Sequence, residues 1–152
     1  YSAELFSKTI HVFDMANPLD PILLQNYTPP SGGTQFYEIV ASNGKLYVYG
    51  SSDPVIIDIA SNRSSITEFA VIDIVSSQGS TGQAIAVDGR YALIGSNDTV
   101  EVFDLASDPA VPVRVSTIPV NARSIAISGK NAVMGHRDGI VISIVALEDE
   151  YQ

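Results

Sequence analysis

The chain has 152 residues, 45% of them hydrophobic and 16% charged, so it can form one globular domain and is not a disordered segment. Its net charge of −9 and the lack of any Lys or Arg cluster argue against nucleic acid and anionic membrane surfaces as partners. The absence of cysteine excludes disulfides, thiolate metal sites and a cysteine nucleophile. No apolar run approaches the roughly 18 residues that a membrane-spanning helix needs, so we expect no membrane insertion by this segment.

Near the N-terminus the run "IHVFDMA", which begins at Ile10, is predicted to form a strand. Similar runs recur later as "VIIDIA", "VEVFDLA" and "IVISIVA". Asp14, Asp58 and Asp104 occupy one position in the first three runs, and we expect Ser143 to replace the acid in the fourth. A side-chain oxygen at this position can accept a hydrogen bond from a backbone N–H of the following turn, which predicts a structural role.

A second pattern precedes each of the last three runs, as "NGKLYVYG", "DGRYALIG" and "SGKNAVMG". Each copy has a glycine, a base, four residues rich in apolar side chains and a second glycine. We predict two-residue hairpin turns at Asn43-Gly44, Asp88-Gly89 and Ser128-Gly129, because glycine readily adopts the positive φ that such turns require. The turns recur roughly every 40 to 45 residues, which is the repeat length of propeller blades.

Each repeat is predicted to form four antiparallel strands, labelled A to D. Strand A is "YEIVA", "AIAVD" or "SIAIS", strand B follows the glycine turn, strand C is the run ending in Asp, and strand D is the next apolar run. Phe103 and Leu105 point to one side of a strand C and Val100 and Val102 to the other, so sheets are expected on both sides. The sequence therefore predicts an all-β fold, a β-propeller segment of four-stranded blades. A β-sandwich is the alternative, but it does not predict an internal repeat.

Counting strands gives B-C-D, two complete blades and A-B-C, which is fourteen strands or about 3.5 blades. We assign residues 1–152 to one domain, with blades at roughly 1–27, 36–75, 83–119 and 123–152. This count predicts an open part of a larger propeller, and a compact four-blade ring is the alternative. Exposed blade faces at the two ends are large apolar patches that need a partner. The expected partners are missing blades of the same protein, another chain, or a neighbouring copy in a homo-oligomer.

The stretch "VDGRYALIGSNDTVEVFDLASDPAVPVRV" resembles the LVIVD-repeat family, whose pattern is "vsGnyAYva…gLviiDvsdPsnPvlvgs". The resemblance covers nearly the whole chain and is weakest at "SNRSSITEF", where the two-proline element is missing. YVTN-type surface propellers are similar through "DGR…NDTVEVFDLA" but lack the D-x-x-x-P run into strand D. The resemblance implies a β-propeller of a bacterial or archaeal surface protein, located extracellularly or at the cell surface.

Ligands of propellers usually bind at the face formed by the B–C and D–A loops, and this fold-level analogy selects residues of the B–C turns. The candidate ligand-binding residues are Asp53, Asp98, His136, Arg137 and Asp138. Three acids on one face could hold Ca²⁺ through carboxylate oxygens, but no D-x-D-x-D-G loop occurs. Short turns also favour Asp for their geometry alone. We therefore predict no catalytic residue, no metal site and no cofactor, with Ca²⁺ as the alternative.

The leading hypothesis for function is a non-enzymatic binding or structural module of a secreted or cell-surface prokaryotic protein, with a protein or glycan partner. One alternative is a propeller that scaffolds a hydrolase or lyase site, with His136, Arg137 and an acid as participants. Another is a component of a self-assembling surface array. His11 aligns with Val55 and Glu101 in strand C and is expected to be partly buried and structural.

Overall fold

The computed structural model describes residues 2–3, 9–30, 35–59, 66–74, 84–96, 98–106, 108, 110–136 and 142–146. Every regular element within these residues is a β-strand, and none of them forms a helix that could cross a membrane. The strands form four antiparallel sheets, which we number I to IV in chain order.

The sheets take their strands consecutively from the chain. Sheet I contains β1 (Ser2–Ala3), β2 (Ile10–Asp14) and β3 (Ile22–Tyr27). Sheet II contains β4 (Phe36–Ser42), β5 (Lys45–Gly50), β6 (Val55–Asp58) and β7 (Thr67–Val71). Sheet III contains β8 (Ala84–Asp88), β9 (Tyr91–Gly95), β10 (Val100–Asp104) and β11 (Val113–Ile118). Sheet IV contains β12 (Ala122–Ser128), β13 (Asn131–His136) and β14 (Ile142–Ala146).

This order confirms the predicted all-β architecture. Strands A to D lie side by side in sheets II and III, while sheet I contains B, C and D and sheet IV contains A, B and C. The A strands of successive sheets contact one another, β4 with β8 and β8 with β12. Four-stranded antiparallel sheets that follow one another face to face in chain order are the blades of a β-propeller.

Hydrophobic side chains fill the three junctions between successive sheets. In an antiparallel pair, directly opposite residues point to the same side of the sheet, and neighbours along a strand point to opposite sides. We call the side of a sheet that points to the next sheet its forward face, and the other side its backward face. Each junction holds one hydrophobic cluster with residues from both faces. Examples are Val12 and Val55 between sheets I and II, Tyr47 and Phe103 between II and III, and Leu93 and Met134 between III and IV.

Strand C of sheet III is buried on both faces, as predicted. Phe103 and Leu105 belong to the cluster between sheets II and III, whereas Val100 and Val102 belong to the cluster between sheets III and IV. All four are at least 96% buried.

The A–B hairpins use two kinds of turn, which corrects two of the three predicted positions. In sheet II the turn is Asn43-Gly44 as predicted, and both residues have positive φ, 48° and 71°. In sheets III and IV the turn residues are instead Gly89-Arg90 and Gly129-Lys130, and the glycine alone has positive φ. The physical reason is that a type I′ turn needs two positive φ values and a type II′ turn needs one, at its first residue.

Ser143 does not occupy the position of the recurring acids, so that prediction is wrong. The first residue of strand B faces the last residue of strand C in the pairs Lys45–Asp58, Tyr91–Asp104 and Asn131–Ala146. Ser143 pairs instead with Met134, inside the strand. Loop length accounts for two of the three residues that separate Ser143 from Ala146, because the segment joining the paired parts of β13 and β14 is two residues longer than the one joining β9 and β10.

Each D strand carries a β-bulge at the same place. The register shifts opposite Val12/Phe13 in sheet I, Ile56/Ile57 in sheet II and Val102/Phe103 in sheet III. The additional residues are Leu24, Phe69 and Val115, which are 47%, 39% and 53% exposed. A bulge in an outer strand interrupts the regular ladder that another chain could extend, so these edges are protected against strand addition.

Candidate functional site

The recurring acids at the ends of the C strands hold the following turns together. Asp14 Oδ1 accepts a hydrogen bond from the Ala16 backbone N–H at 2.9 Å, and Asp104 Oδ1 accepts one from Ala106 at 2.8 Å. These contacts confirm the Asx-type role predicted for both residues. Both carboxylates therefore accept hydrogen bonds that stabilise the turns after strand C.

In sheets II and III the base that follows the turn glycine also contacts one of these acids. Lys45 Nζ lies 3.6 Å from Asp58 Oδ1, and Arg90 Nη2 lies 3.0 Å from Asp104 Oδ2. The hydrogen bond from Arg90 lowers the pKa of the Asp104 carboxyl, and the bond from the Ala106 amide acts in the same direction. Lys45 reaches its acid from the first position of strand B, whereas Arg90 reaches it from the turn itself.

The described B–C candidates lie on three successive sheets. Asp53 is half-buried in the loop between β5 and β6, and His136 is half-buried at the end of β13 opposite Ala122. Asp98 is exposed at the tip of a turn that Ser96 closes by donating its backbone N–H to the Thr99 carbonyl at 2.8 Å.

Two further candidates, Arg137 and Asp138, lie outside the described residues. In the part of the chain that the structure describes, no three His, Asp or Glu side chains are grouped so that they could hold a metal ion. The B–C candidates therefore supply separate polar groups on neighbouring blades, and no ligand-binding geometry can be built from the described ones.

Glu38 joins the inner strands of two sheets. Its Oε2 accepts a hydrogen bond at 2.8 Å from the backbone N–H of Ile85, which lies on β8 in the next sheet. Burial raises the pKa of the Glu38 carboxyl, and the bond from Ile85 opposes this in part. No pattern in the sequence marks this contact, because the partner is a backbone amide 47 residues away.

A second buried carboxylate lies on the backward face of sheet III. Glu101 is 2% exposed, and its Oε2 accepts a hydrogen bond at 3.3 Å from Nη1 of Arg114 on the neighbouring strand. Removal of Arg114 would leave the buried Glu101 carboxylate without this ion pair, which destabilises a fold.

Among the described strands, none packs on the forward face of sheet IV. Val133 pairs with Ala126 as Leu93 pairs with Ala86 one sheet earlier. Leu93 is 0% exposed beneath sheet IV, whereas Val133 is 39% exposed. Ala126 is exposed as well. We call this surface, formed by Ala126 and Val133, the IV end face.

The backward face of sheet I is the other end of the stack. Ile10 and Val12 point into the junction with sheet II, so His11 and Phe13 lie on the opposite side of the strand. Leu23 pairs with Phe13 and is 49% exposed. We call the surface formed by His11, Phe13, Leu23 and Asn26 the I end face.

Aromatic and polar contacts order the I end face. His11 Nδ1 lies 2.7 Å from Asn26 Oδ1, and the His11 and Phe13 ring centroids are 6.3 Å apart. His11 is half-buried, as predicted.

No protein-family model matches the sequence, and no curated protein is significantly similar to it. The computationally designed protein Ika4 is 13% identical with a TM-score of 0.70, over 97% of this chain and 88% of that one. The designed protein Ika8 is 14% identical with a TM-score of 0.66, over 91% of this chain but 40% of Ika8, so the present chain spans two-fifths of that length.

A natural protein shares part of the fold. PorZ of Porphyromonas gingivalis, described as an essential surface component of the type IX secretion system, is 15% identical over 73% of this chain and 14% of PorZ, with a TM-score of 0.50. At these identities the likeness is one of fold. The class that fold and comparisons define is a stack of propeller blades.

Proposed function

We propose that the chain is a non-enzymatic β-propeller module that works by binding and assembly through its end faces. The observation that carries this proposal is the exposure of Val133, 39%, at the position where Leu93 of the preceding sheet is fully buried. Each apolar junction inside the stack is covered by another sheet, so the surface that fits the IV end face is also a sheet face. Burial of such a surface is the main driving force for association.

The polar groups support a structural rather than a catalytic module. Asp14 and Asp104 are engaged with backbone amides, and Arg90 neutralises Asp104. Glu38 is likewise used to connect two sheets. Catalysis by acids and bases needs groups that converge on one reacting atom, and within the described residues no such arrangement favours the hydrolase or lyase alternative.

We further propose that the module belongs to a secreted or cell-surface prokaryotic protein of the LVIVD-repeat type. The repeated "DGRYALIG" and "VEVFDLA" patterns support this family, and PorZ is an example of a bacterial surface component with a related fold. The partner is then a protein surface, either further blades or a neighbouring chain.

The proposal is tested with Val133→Asp, which places a charge on the IV end face. Val115→Asp is the matched control, because Val115 is more exposed, at 53%, but lies on the outer strand of sheet III. Sedimentation velocity measures association, and binding of an apolar fluorescent dye measures open apolar surface. If the wild-type chain associates, we expect the Val133→Asp variant to associate less. If the wild-type chain is monomeric, we expect the variant to bind less dye.

Val115→Asp is expected to leave both measurements unchanged. Equal behaviour of the two variants would mean that the IV end face is not a binding surface, and the proposal would be wrong. Circular dichroism establishes that both variants keep the strand content of the wild type.

A further inference from the structure

We propose that the partner of the IV end face is the I end face of a second copy of this chain. This inference rests on the proposed assembly function and adds the identity of the partner and the geometry of the contact. Two copies joined at both ends form a ring of eight sheets.

The internal junctions supply the first argument. All three join the forward face of one sheet to the backward face of the next, and Val12 shares a cluster with Val55 as Leu93 does with Met134. The complement of the IV end face is therefore a backward face. The I end face is a backward face of this same chain, and in the part of the molecule that the structure describes no other sheet lies against it.

Position within the repeat supplies the second argument. Phe13 precedes Asp14 as Phe103 precedes Asp104, and both phenylalanines follow the register shift opposite strand D. Phe103 is 2% exposed in the junction between sheets II and III. Phe13 is thus the residue that an arriving forward face would bury.

Ring closure supplies the third argument. A head-to-tail interface between identical chains forms a closed ring or an open filament, depending on the rotation between copies. Propellers typically have 4 to 8 blades, so two copies of a four-sheet stack fall at the upper limit.

Single cysteines test the pairing, because the chain has none of its own. Val133→Cys and Phe13→Cys proteins are mixed and treated with a bis-maleimide that spans roughly 10 Å, the distance between packed sheets. Leu23→Cys, on the same face and exposed, replaces Phe13→Cys if that variant folds poorly. Val115→Cys, on the outer strand of sheet III, is the control for random collision.

We expect the mixture to give a cross-linked species of two chains in at least fivefold excess over the Val133→Cys and Val115→Cys mixture. Sedimentation of the wild type should give a closed species of two chains. Cross-linking of Val133→Cys to itself would overturn the head-to-tail pairing and leave the end-face function standing. A ladder of longer species would overturn ring closure. Both proposals would be overturned if the Val133→Cys and Phe13→Cys mixture cross-links no better than the control mixture and Val133→Asp changes neither association nor dye binding.

Discussion

Leu93 and Val133 hold the same place in successive sheets, but Leu93 is fully buried while 39% of Val133 is exposed. Truncation should therefore have very different effects at the two positions. We expect Leu93→Ala to lower the free energy of unfolding by about 2–5 kcal/mol, the range for buried leucines that leave a cavity. Val133→Ala should change it by no more than about 0.5 kcal/mol in the monomer. Denaturant unfolding at low protein concentration measures both values, and equal losses would show that Val133 is covered within the single chain.

The Arg90–Asp104 pair predicts loss of stability in acid. Because the pKa of Asp104 is lowered in the folded state, the unfolded chain takes up its proton first as the pH falls. The contribution of this group is thus complete at neutral pH, above its ordinary value of 3.8, and disappears as the pH falls through the lowered folded-state value. Asp104→Asn removes the ion pair and keeps an oxygen for the Ala106 amide. We expect the wild type to be more stable than this variant at pH 7 and to lose that advantage in acid.

Urea unfolding of both proteins between pH 7 and strongly acidic pH measures this difference. Arg90→Gln is the companion variant, because it removes the same charge pair from the other side. The interpretation fails if the stability difference between the wild type and Asp104→Asn is unchanged over the acid range.

Glu38 predicts a pH effect of the opposite sign. Burial raises the folded-state pKa of Glu38 above the unfolded value of 4.5. At a pH between these two pKa values, the chain therefore takes up a proton when it folds. The contribution of Glu38 to the stability of the fold is most favourable at a pH below its unfolded-state pKa, and it decreases as the pH rises through its folded-state pKa. Glu38→Gln keeps an oxygen for the Ile85 amide without the charge, and we expect it to be at least as stable as the wild type at pH 7. Glu38→Ala leaves that amide without its partner and should cost about 1–3 kcal/mol.

The two substitutions at Glu38 are compared by urea unfolding at pH 7 and at pH 4. The contact with Ile85 has no role in stability if Glu38→Ala and Glu38→Gln unfold at the same denaturant concentration. A wild type that weakens relative to Glu38→Gln as the pH falls would contradict the sign of the effect.

The fold could be predicted because its signals are local and repeated. Alternation of apolar residues, turn glycines and the Asp that ends strand C recur in one order, and Asp14 and Asp104 make the predicted contact with the following turn. The type of hairpin was less predictable. "NG" and "DG" both permit a turn, but Asn43 adopts positive φ whereas Asp88 stays in its strand and Gly89 takes the first turn position.

The presence of end faces could be predicted from the sequence, but the residues that form them could not. The incomplete first and last repeats predicted exposed end faces, but the assignment of Val133 to one of them required the register of β13 with β12. The contact of Glu38 with Ile85 joins residues of two sheets and uses a backbone donor, which no pattern of side chains marks. Long-range pairings of this kind depend on how the sheets stack.

Gly89 tests the assignment of the turn. Its φ of +55° lies in the left-handed region, where a side chain costs roughly 1–2 kcal/mol. We expect Gly89→Ala to lose about that amount in denaturant unfolding, and Gly89→Asn to lose less because Asn tolerates this conformation. Asp88→Ala is the control for the predicted turn that the structure corrects, and it should cost less than Gly89→Ala. The reverse order would place the turn one residue earlier.

Self-association should strengthen with salt. Each copy carries a net charge of −9, so two copies repel each other, and added salt screens that repulsion over a Debye length of about 10 Å at 0.1 M. The proposed contact between the I and IV end faces is mainly apolar, with Val133 opposite Phe13, and such a contact gains little from direct ion pairs. Sedimentation velocity in low and high NaCl should therefore show more of the two-chain species at high salt for the wild type and for Val115→Asp, but not for Val133→Asp. Association that weakens as salt is added would mean that charge pairs hold the copies together, which the apolar end faces do not predict.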